Sequence, residues 1–209
     1  MKGGGGDPKS ARPDFTAFAE AYRQQFLAAV ASWDLAALAP VAAVLADARA
    51  RGATVLLAGN GGSAAIVNHT ECDASKGTSL DGAPTLNTRS LAANTSVITA
   101  LGNDFGYETI FAKQVGYYGK AGDVLLLVSA SGNSPNVVAA CRAARAQGIT
   151  TVAFVGFDGG ALRGLADHVL HVPVHNCGMV EDLHQASMHL LTQFLRLAWT
   201  HDHEAATGG

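Results

Sequence analysis

Four short, nearly continuous apolar runs set the limits on this fold: Thr54-Val55-Leu56-Leu57-Ala58, Val124 to Val128, Thr150 to Val155 and His168 to Val172. Such runs suit strands buried on both faces rather than strands with one wet face. Between them, apolar residues at helical spacing predict helices over 63–74, 94–101, 107–118, 134–147 and 160–166, and a long final helix over about 180–200. Upstream, Phe15, Phe18, Ala19, Tyr22, Phe26 and Val30 mark a helix from Asp14 onward, and a second is expected from Leu35 to Ala50, with Gly52 just past its end. Strands alternating with helices imply an α/β fold: a three-layer sandwich with a central parallel sheet, plus N-terminal helices.

The 209 residues suit one buried domain. Residues 1–13 carry Gly3 to Gly6, Pro8 and Pro13 and are expected to be disordered; 14–200 form the domain, opened by a helical hairpin, and 201–209 a flexible tail. Hydrophobic residues make up 48% and charged residues 15%, which leaves apolar surface for subunit association. A net charge of −3 gives no general attraction to nucleic acid. No apolar run reaches the roughly 18 residues of a membrane span. The start of the chain lacks the apolar core of a signal peptide. Cys72, Cys141 and Cys177 form no close-spaced pair, as in a reduced compartment, so a cytoplasmic location is expected.

Two loops follow buried strands and precede helices: Gly59-Asn60-Gly61-Gly62-Ser63 and Ser129-Ala130-Ser131-Gly132-Asn133-Ser134. In open parallel sheets, ligands bind at this carboxyl edge. Glycine lets the backbone approach a ligand closely, and the helix that follows offers unpaired N–H groups to an anion. Ser129, Ser131 and Ser134 are placed to surround one phosphate, with Ser134 also capping its helix; Asn60 and Ser63 add donors. Each loop taken alone is equally well a tight turn with a cap. Neither matches GxGxxG or the lysine-bearing P-loop, which points to a monophosphate.

His69 and Asp73 are four residues apart, on one helix face, and the last helix carries Glu181, Asp182, His184, Gln185 and His189. Such side chains suit either a zinc-like ion or acid–base work. Glu181 and His189 are eight residues apart, about 12 Å of helical rise. One ion cannot readily take both from one straight helix, so a site at a subunit interface is expected.

The segments GNGGSAAIVNH at 59–69, LGNDFGYE at 101–108 and VSASGNSPNVVAA at 128–140 resemble the sugar isomerase (SIS) domain family, and within it the phosphoheptose isomerases. The resemblance spans about residues 15 to 198. It implies a flavodoxin-like or Rossmann-like SIS fold and an enzyme that interconverts sedoheptulose 7-phosphate and D-glycero-D-manno-heptose 7-phosphate. It also implies a homotetramer with shared active sites and neither a nucleic-acid nor a membrane partner. The phosphorylated sugar would contact Asn60, Gly61, Gly62, Ser63, Asn94, Asn103, Asp104, Ser129, Ser131 and Ser134. Zinc would be held by His69, Asp73, Glu181 and His189, with Asp73 and His189 as the acid–base pair.

The chain departs from the family pattern at six places. Asp73 stands for a glutamate, Glu181 for a glutamine, Gly77 for an arginine with Lys76 beside it, Asn94 and Gly178 for aspartates, and Ala130 for a threonine. The phosphate half is largely kept and the sugar-reading half is altered. An isomerase of another ketose phosphate therefore stays open, as does a non-catalytic SIS protein that binds sugar phosphate or associates with a replication initiator.

Overall fold

The structure is a computed structural model that describes residues 12–207. Most of the 1–13 segment and the last two residues lie outside that range. Five parallel strands form one sheet in the order β2-β1-β3-β4-β5: β1 (Thr54–Gly59), β2 (Asn87–Ser90), β3 (Val124–Ser129), β4 (Thr150–Val155) and β5 (His168–His171). The helices are α1 (Phe15–Ala31), α2 (Leu38–Arg51), α3 (Gly62–Cys72), α4 (Thr95–Phe105), α5 (Ile110–Tyr118), α6 (Pro135–Ala146), α7 (Gly160–Leu165) and α8 (Cys177–Thr207).

The buried runs behave as double-sided strands. Val55 and Leu57 of β1 and Val124, Leu126 and Val128 of β3 pack with α2, α3 and α8 on one face. Leu56 and Ala58 of β1 and Leu125 and Leu127 of β3 pack with α4 to α7 on the other. Each fully buried leucine contributes about 1.5–3 kcal/mol relative to exposure. The helices that follow β1 and β3 thus lie on opposite faces, although the two strands are neighbours in register from Val55↔Val124 to Gly59↔Val128. The order 2-1-3-4-5 places the topological switch, and the crevice it creates, at that pair.

Two elements differ from expectation. β2 is a fifth strand, Asn-Thr-Arg-Ser, with no apolar run; it pairs only with β1, and an edge strand needs no second apolar face. The last helix is longer at both ends than 180–200. Asn176 Oδ1 accepts from Met179 N at 3.2 Å and so starts α8 early. At the other end nothing between Thr200 and Thr207 breaks a helix before Gly208, so most of the expected tail is helical.

Among the described residues no single helix is long and apolar enough to cross a membrane. Within one chain, Phe15 and Phe18 of α1 are 78% and 62% exposed, and Phe194 and Leu197 of α8 are 53% and 71% exposed.

His184 lies in the core beneath the crevice, fully buried against the Phe154 ring, at 5.9 Å between centroids. Neither ring nitrogen makes a well-formed hydrogen bond. Burial pushes its pKa down to about 4 from 6.5, with the Val155 backbone opposing the shift only in part. The unfolded chain therefore binds the proton first as pH falls. Stability is unaffected by His184 above about pH 6.5 and declines between there and about pH 4, by about 2 kcal/mol at pH 5. Urea unfolding of the wild type and His184→Gln at pH 7 and pH 5 checks this: the wild type is expected to lose about that much more than the variant, and equal losses would contradict it.

Candidate active site

The two ligand loops leave the carboxyl ends of β1 and β3 and are bound to each other by a reciprocal amide pair. Asn60 Nδ2 donates to Asn136 Oδ1 at 2.8 Å, and Asn136 Nδ2 donates to Asn60 Oδ1 at 2.9 Å. The Tyr107 hydroxyl donates to the same Asn60 oxygen at 3.0 Å. Asn136 is 2% exposed, so these bonds form away from water, where an unpaired amide costs most.

Backbone geometry then shapes the cradle. Gly61, at φ 54° and ψ −121°, turns the chain into α3 with no side-chain cap, leaving the first N–H groups of α3 without intrahelical partners. Gly132 has φ +63°, and a Cβ there would meet the Gly159 carbonyl oxygen at 2.0 Å. Ser134 does not cap α6 through its side chain, contrary to expectation. Its own carbonyl accepts from Val137 N and Val138 N at 3.0 Å, which leaves the hydroxyl for the cavity.

Asn60, Ser63, Ser129, Ser131 and Ser134 line a cavity of about 200 Å³, together with Phe157, Cys177 and Glu181. Its lining contains no Lys or Arg, so an anion there is held by hydroxyls and helix N-termini. Burial and the Glu181 carboxylate push the Cys177 thiol up, which keeps it protonated and a poor nucleophile.

A second group lies farther along the same helices. His69 comes from α3, His189 from α8, and Asp73 opens a π-helical turn (Asp73–Gly77) that continues α3. Such widened turns recur at functional sites. His69 Nε2 and Asp73 Oδ2 are 3.2 Å apart, His189 Nε2 and Asp73 Oδ2 3.6 Å, and the two Nε2 atoms 3.1 Å. Ligand bonds of roughly 2.0–2.2 Å in tetrahedral geometry put neighbouring donor atoms about 3.3 Å apart. The trio thus matches one face of a zinc-sized tetrahedron, and its two imidazoles and one carboxylate are of the right chemistry.

Glu181 does not join this group. It stands near the start of α8, two turns below His189, with its carboxylate against Gly62: a Cβ on Gly62 would lie 2.4 Å from Glu181 Oε2. Of the four expected ligands, three converge within one chain and Glu181 stands apart from them. Glu181 instead lines both the phosphate-sized cavity and a cleft of about 450 Å³ shared with His69, Gln185 and His189. Asp73 and His189 face an adjoining cleft with Arg196, which donates to the carbonyls of Gly77, at 3.3 Å, and Ser79.

Asn94, Asn103 and Asp104 line none of these spaces within one chain. Asn94 caps α4, its Oδ1 accepting from Val97 N at 3.1 Å, and Asn103 donates to Asp104 at 2.8 Å on the exposed end of that helix. Several site residues had escaped the sequence reading. Asn136 and Tyr107 fall inside the quoted segments 128–140 and 101–108 but are not marked there by residue type, and Arg196 lies outside all three; each acts through a contact distant in sequence. Phe157, a non-glycine residue at φ 49°, lines the cavity and stacks on His175 at 5.5 Å. The glycines on either side of Phe157-Asp158 hinted at a loop there but not at its strain.

Comparison with known proteins agrees with this arrangement. The SIS domain family matches residues 18–156. A phosphoheptose isomerase of Nitratidesulfovibrio vulgaris is 42% identical over 144 residues, 69% of each chain. One from Burkholderia pseudomallei is 42% identical over 157 residues, 75% of this chain and 79% of its own. The solved structure of a phosphoheptose isomerase from Neisseria gonorrhoeae superposes with a TM-score of 0.81 at 28% identity, covering 87% of this chain and 98% of that one. With a double-wound sheet, a phosphate-sized cradle at its switch point and these relatives, the chain belongs to the SIS domain family and groups within it with the phosphoheptose isomerases.

Proposed function

We propose that this protein is an aldose–ketose isomerase that converts sedoheptulose 7-phosphate to D-glycero-D-manno-heptose 7-phosphate through an enediol. One observation carries the reading: a cavity of hydroxyls and helix N-termini adjoins the cleft that holds His69 and His189, with Glu181 on the wall they share. From Gly62 to His69 the helical rise is about 10 Å. An extended seven-carbon chain with a terminal phosphate spans roughly the same distance, from carbon–carbon bonds near 1.5 Å. The relatives named phosphoheptose isomerase support the same substrate.

In this reading Ser63, Ser129, Ser131 and Ser134 hold the phosphate with the N–H groups at Gly61 and Gly62, and Asn60 sets the spacing of the two loops. Asp73 turns Oδ2 toward the histidines and has Oδ1 left to take the proton from carbon 1 of the ketose. That proton, or one exchanged with solvent, returns at carbon 2 and completes the aldose. His189 passes a proton between the two sugar oxygens, so that charge does not build up on either. His69, Asp73 and His189 would hold a divalent ion such as zinc, which as a Lewis acid would polarise those oxygens.

The apolar side chains exposed on α1 and α8 support a homo-oligomer, which we take to be a tetramer in the cytoplasm. Asn94, Asn103 and Asp104 then belong to the part of the site that a neighbouring subunit completes. The exposed Phe105 and Tyr107 beside them fit such a contact.

Incubation with sedoheptulose 7-phosphate, followed by NMR with and without added zinc, is expected to show the aldose product. No conversion under either condition would overturn the proposal. His189→Ala is expected to lower kcat by about 10²–10⁴-fold, the usual scale of acid–base assistance, and full activity in that variant would remove His189 from the mechanism. Asn136→Ala leaves the Asn60 amide short of a partner and should cost about 1–3 kcal/mol of stability. It should also raise KM more than it lowers kcat; an unchanged melting temperature and KM would show that the amide pair does not set the cradle.

A further inference from the structure

Phe157 stands on the wall of the phosphate-sized cavity in a conformation that L side chains rarely adopt. Gly159 N donates to Gly156 O at 2.8 Å, so Phe157 and Asp158 are the central residues of a tight turn after β4. Among the described residues Phe157 alone has positive φ without being glycine, at 49°, so φ at Asp158 is negative. Positive φ at the first central position only is the type II′ pattern, which ordinarily places glycine there. Three contacts hold Phe157 in this position. Its N–H donates to Val174 O at 3.3 Å, and its carbonyl accepts from His171 Nε2 at 2.8 Å. Its ring stacks on His175 at 5.5 Å with 7° between the planes, and His175 Nε2 is 3.3 Å from Asp158 Oδ1. Phe157 also packs against the apolar group that contains Val172, Val180 and Ala130, the last of these lying between Ser129 and Ser131.

A strained residue persists where its surroundings over-determine it, and one at a ligand site points to a use for the side chain. Glycine would relieve the turn and leave that stretch of wall open. The donors of this cavity are neutral, with no Lys or Arg in the lining. Hydrogen bonds from such donors are stronger in a low local dielectric and weaker where water competes for the same oxygens. We propose that Phe157 is a substrate-binding residue that acts by keeping water from the phosphate, and that His175 is the positioning residue that holds its ring in place. The inference rests on the phosphate cavity of the proposed function and not on the chemistry at Asp73 and His189. The ring gives the cavity an apolar side beside Ser63, Ser129, Ser131 and Ser134. The hydroxyls and helix N–H groups then hold the anion with little competition from solvent.

The test is binding of inorganic phosphate and of sedoheptulose 7-phosphate to the full-length protein by calorimetry, beside the steady-state constants for isomerisation. Phe157→Gly suits the positive φ and leaves every serine in place, so the variant should fold, which its melting temperature checks. It is expected to weaken binding of both ligands by about tenfold and to raise KM more than it lowers kcat. Phe157→Leu keeps an apolar wall and is expected to retain most of the affinity. His175→Ala is expected to weaken binding by about threefold, and His175→Phe, which can stack on the same ring, to restore it. Wild-type affinity in Phe157→Gly would overturn the inference, as would an equal loss in Phe157→Leu. Wild-type affinity in His175→Ala would overturn the part assigned to His175. The expected pattern with phosphate in a protein that does not convert the heptulose would support the inference and count against the proposed function. A wild type that binds neither ligand would overturn both.

Discussion

The reciprocal hydrogen bonds between Asn60 and Asn136 tie the two halves of the ligand site into one cradle. The strands that carry these residues run side by side, but the helices that follow them leave toward opposite faces of the sheet. Divergence of that kind opens a crevice, and something must fix its width. A buried amide, Asn136, and a half-buried one, Asn60, each satisfying the other, do so without placing a charge at that point. Tyr107 adds a third bond to the same oxygen and draws in the segment after α4. The positions of Ser63, Ser129, Ser131 and Ser134 all depend on that spacing.

Charge is distributed unevenly along the crevice. The cavity end has no cationic side chain in its lining and one carboxylate, Glu181, at its edge. An anion there depends on many neutral donors and on the partial charges of α3 and α6, which act only over the first turn. Farther along α3 and α8, the Nε2 atoms of the two imidazoles and the Asp73 carboxylate converge, an arrangement that suits a cation. Glu181 lines both regions, so under the proposed function a bound sugar phosphate would pass its carboxylate. A neutral glutamine in that position would repel the phosphate less. Under the proposed function, Glu181 would be the carboxylate nearest both ends of the substrate.

Much of this was legible in the sequence, because buried parallel strands leave an unmistakable apolar signature. Four of the five strands and both ligand loops follow from runs such as Val124 to Val128 and the glycines and serines after them. β2 was not legible, since an edge strand of Asn, Thr, Arg and Ser has no such pattern. The pairing of His69 with Asp73 followed from their spacing, but the approach of His189 depends on how α8 crosses α3. The distance of Glu181 from the trio, by contrast, was already implied by the eight residues, about 12 Å of helical rise, between it and His189. The cap expected from Ser134 is not made: no side-chain bond reaches α6, and the residue lines the cavity instead. Asn94 is the opposite case, a residue expected at the sugar whose side chain is used to cap α4.

Under the proposed function one ligand spans both regions, with its phosphate among the serines and its reacting carbons at the trio. A crystal structure of the protein with sedoheptulose 7-phosphate tests this most directly. Phosphate density is expected within hydrogen-bond reach of Ser63, Ser129, Ser131 and Ser134, and carbons 1 and 2 beside Asp73 and His189. A phosphate bound elsewhere, or a sugar chain directed away from that pair, would contradict it.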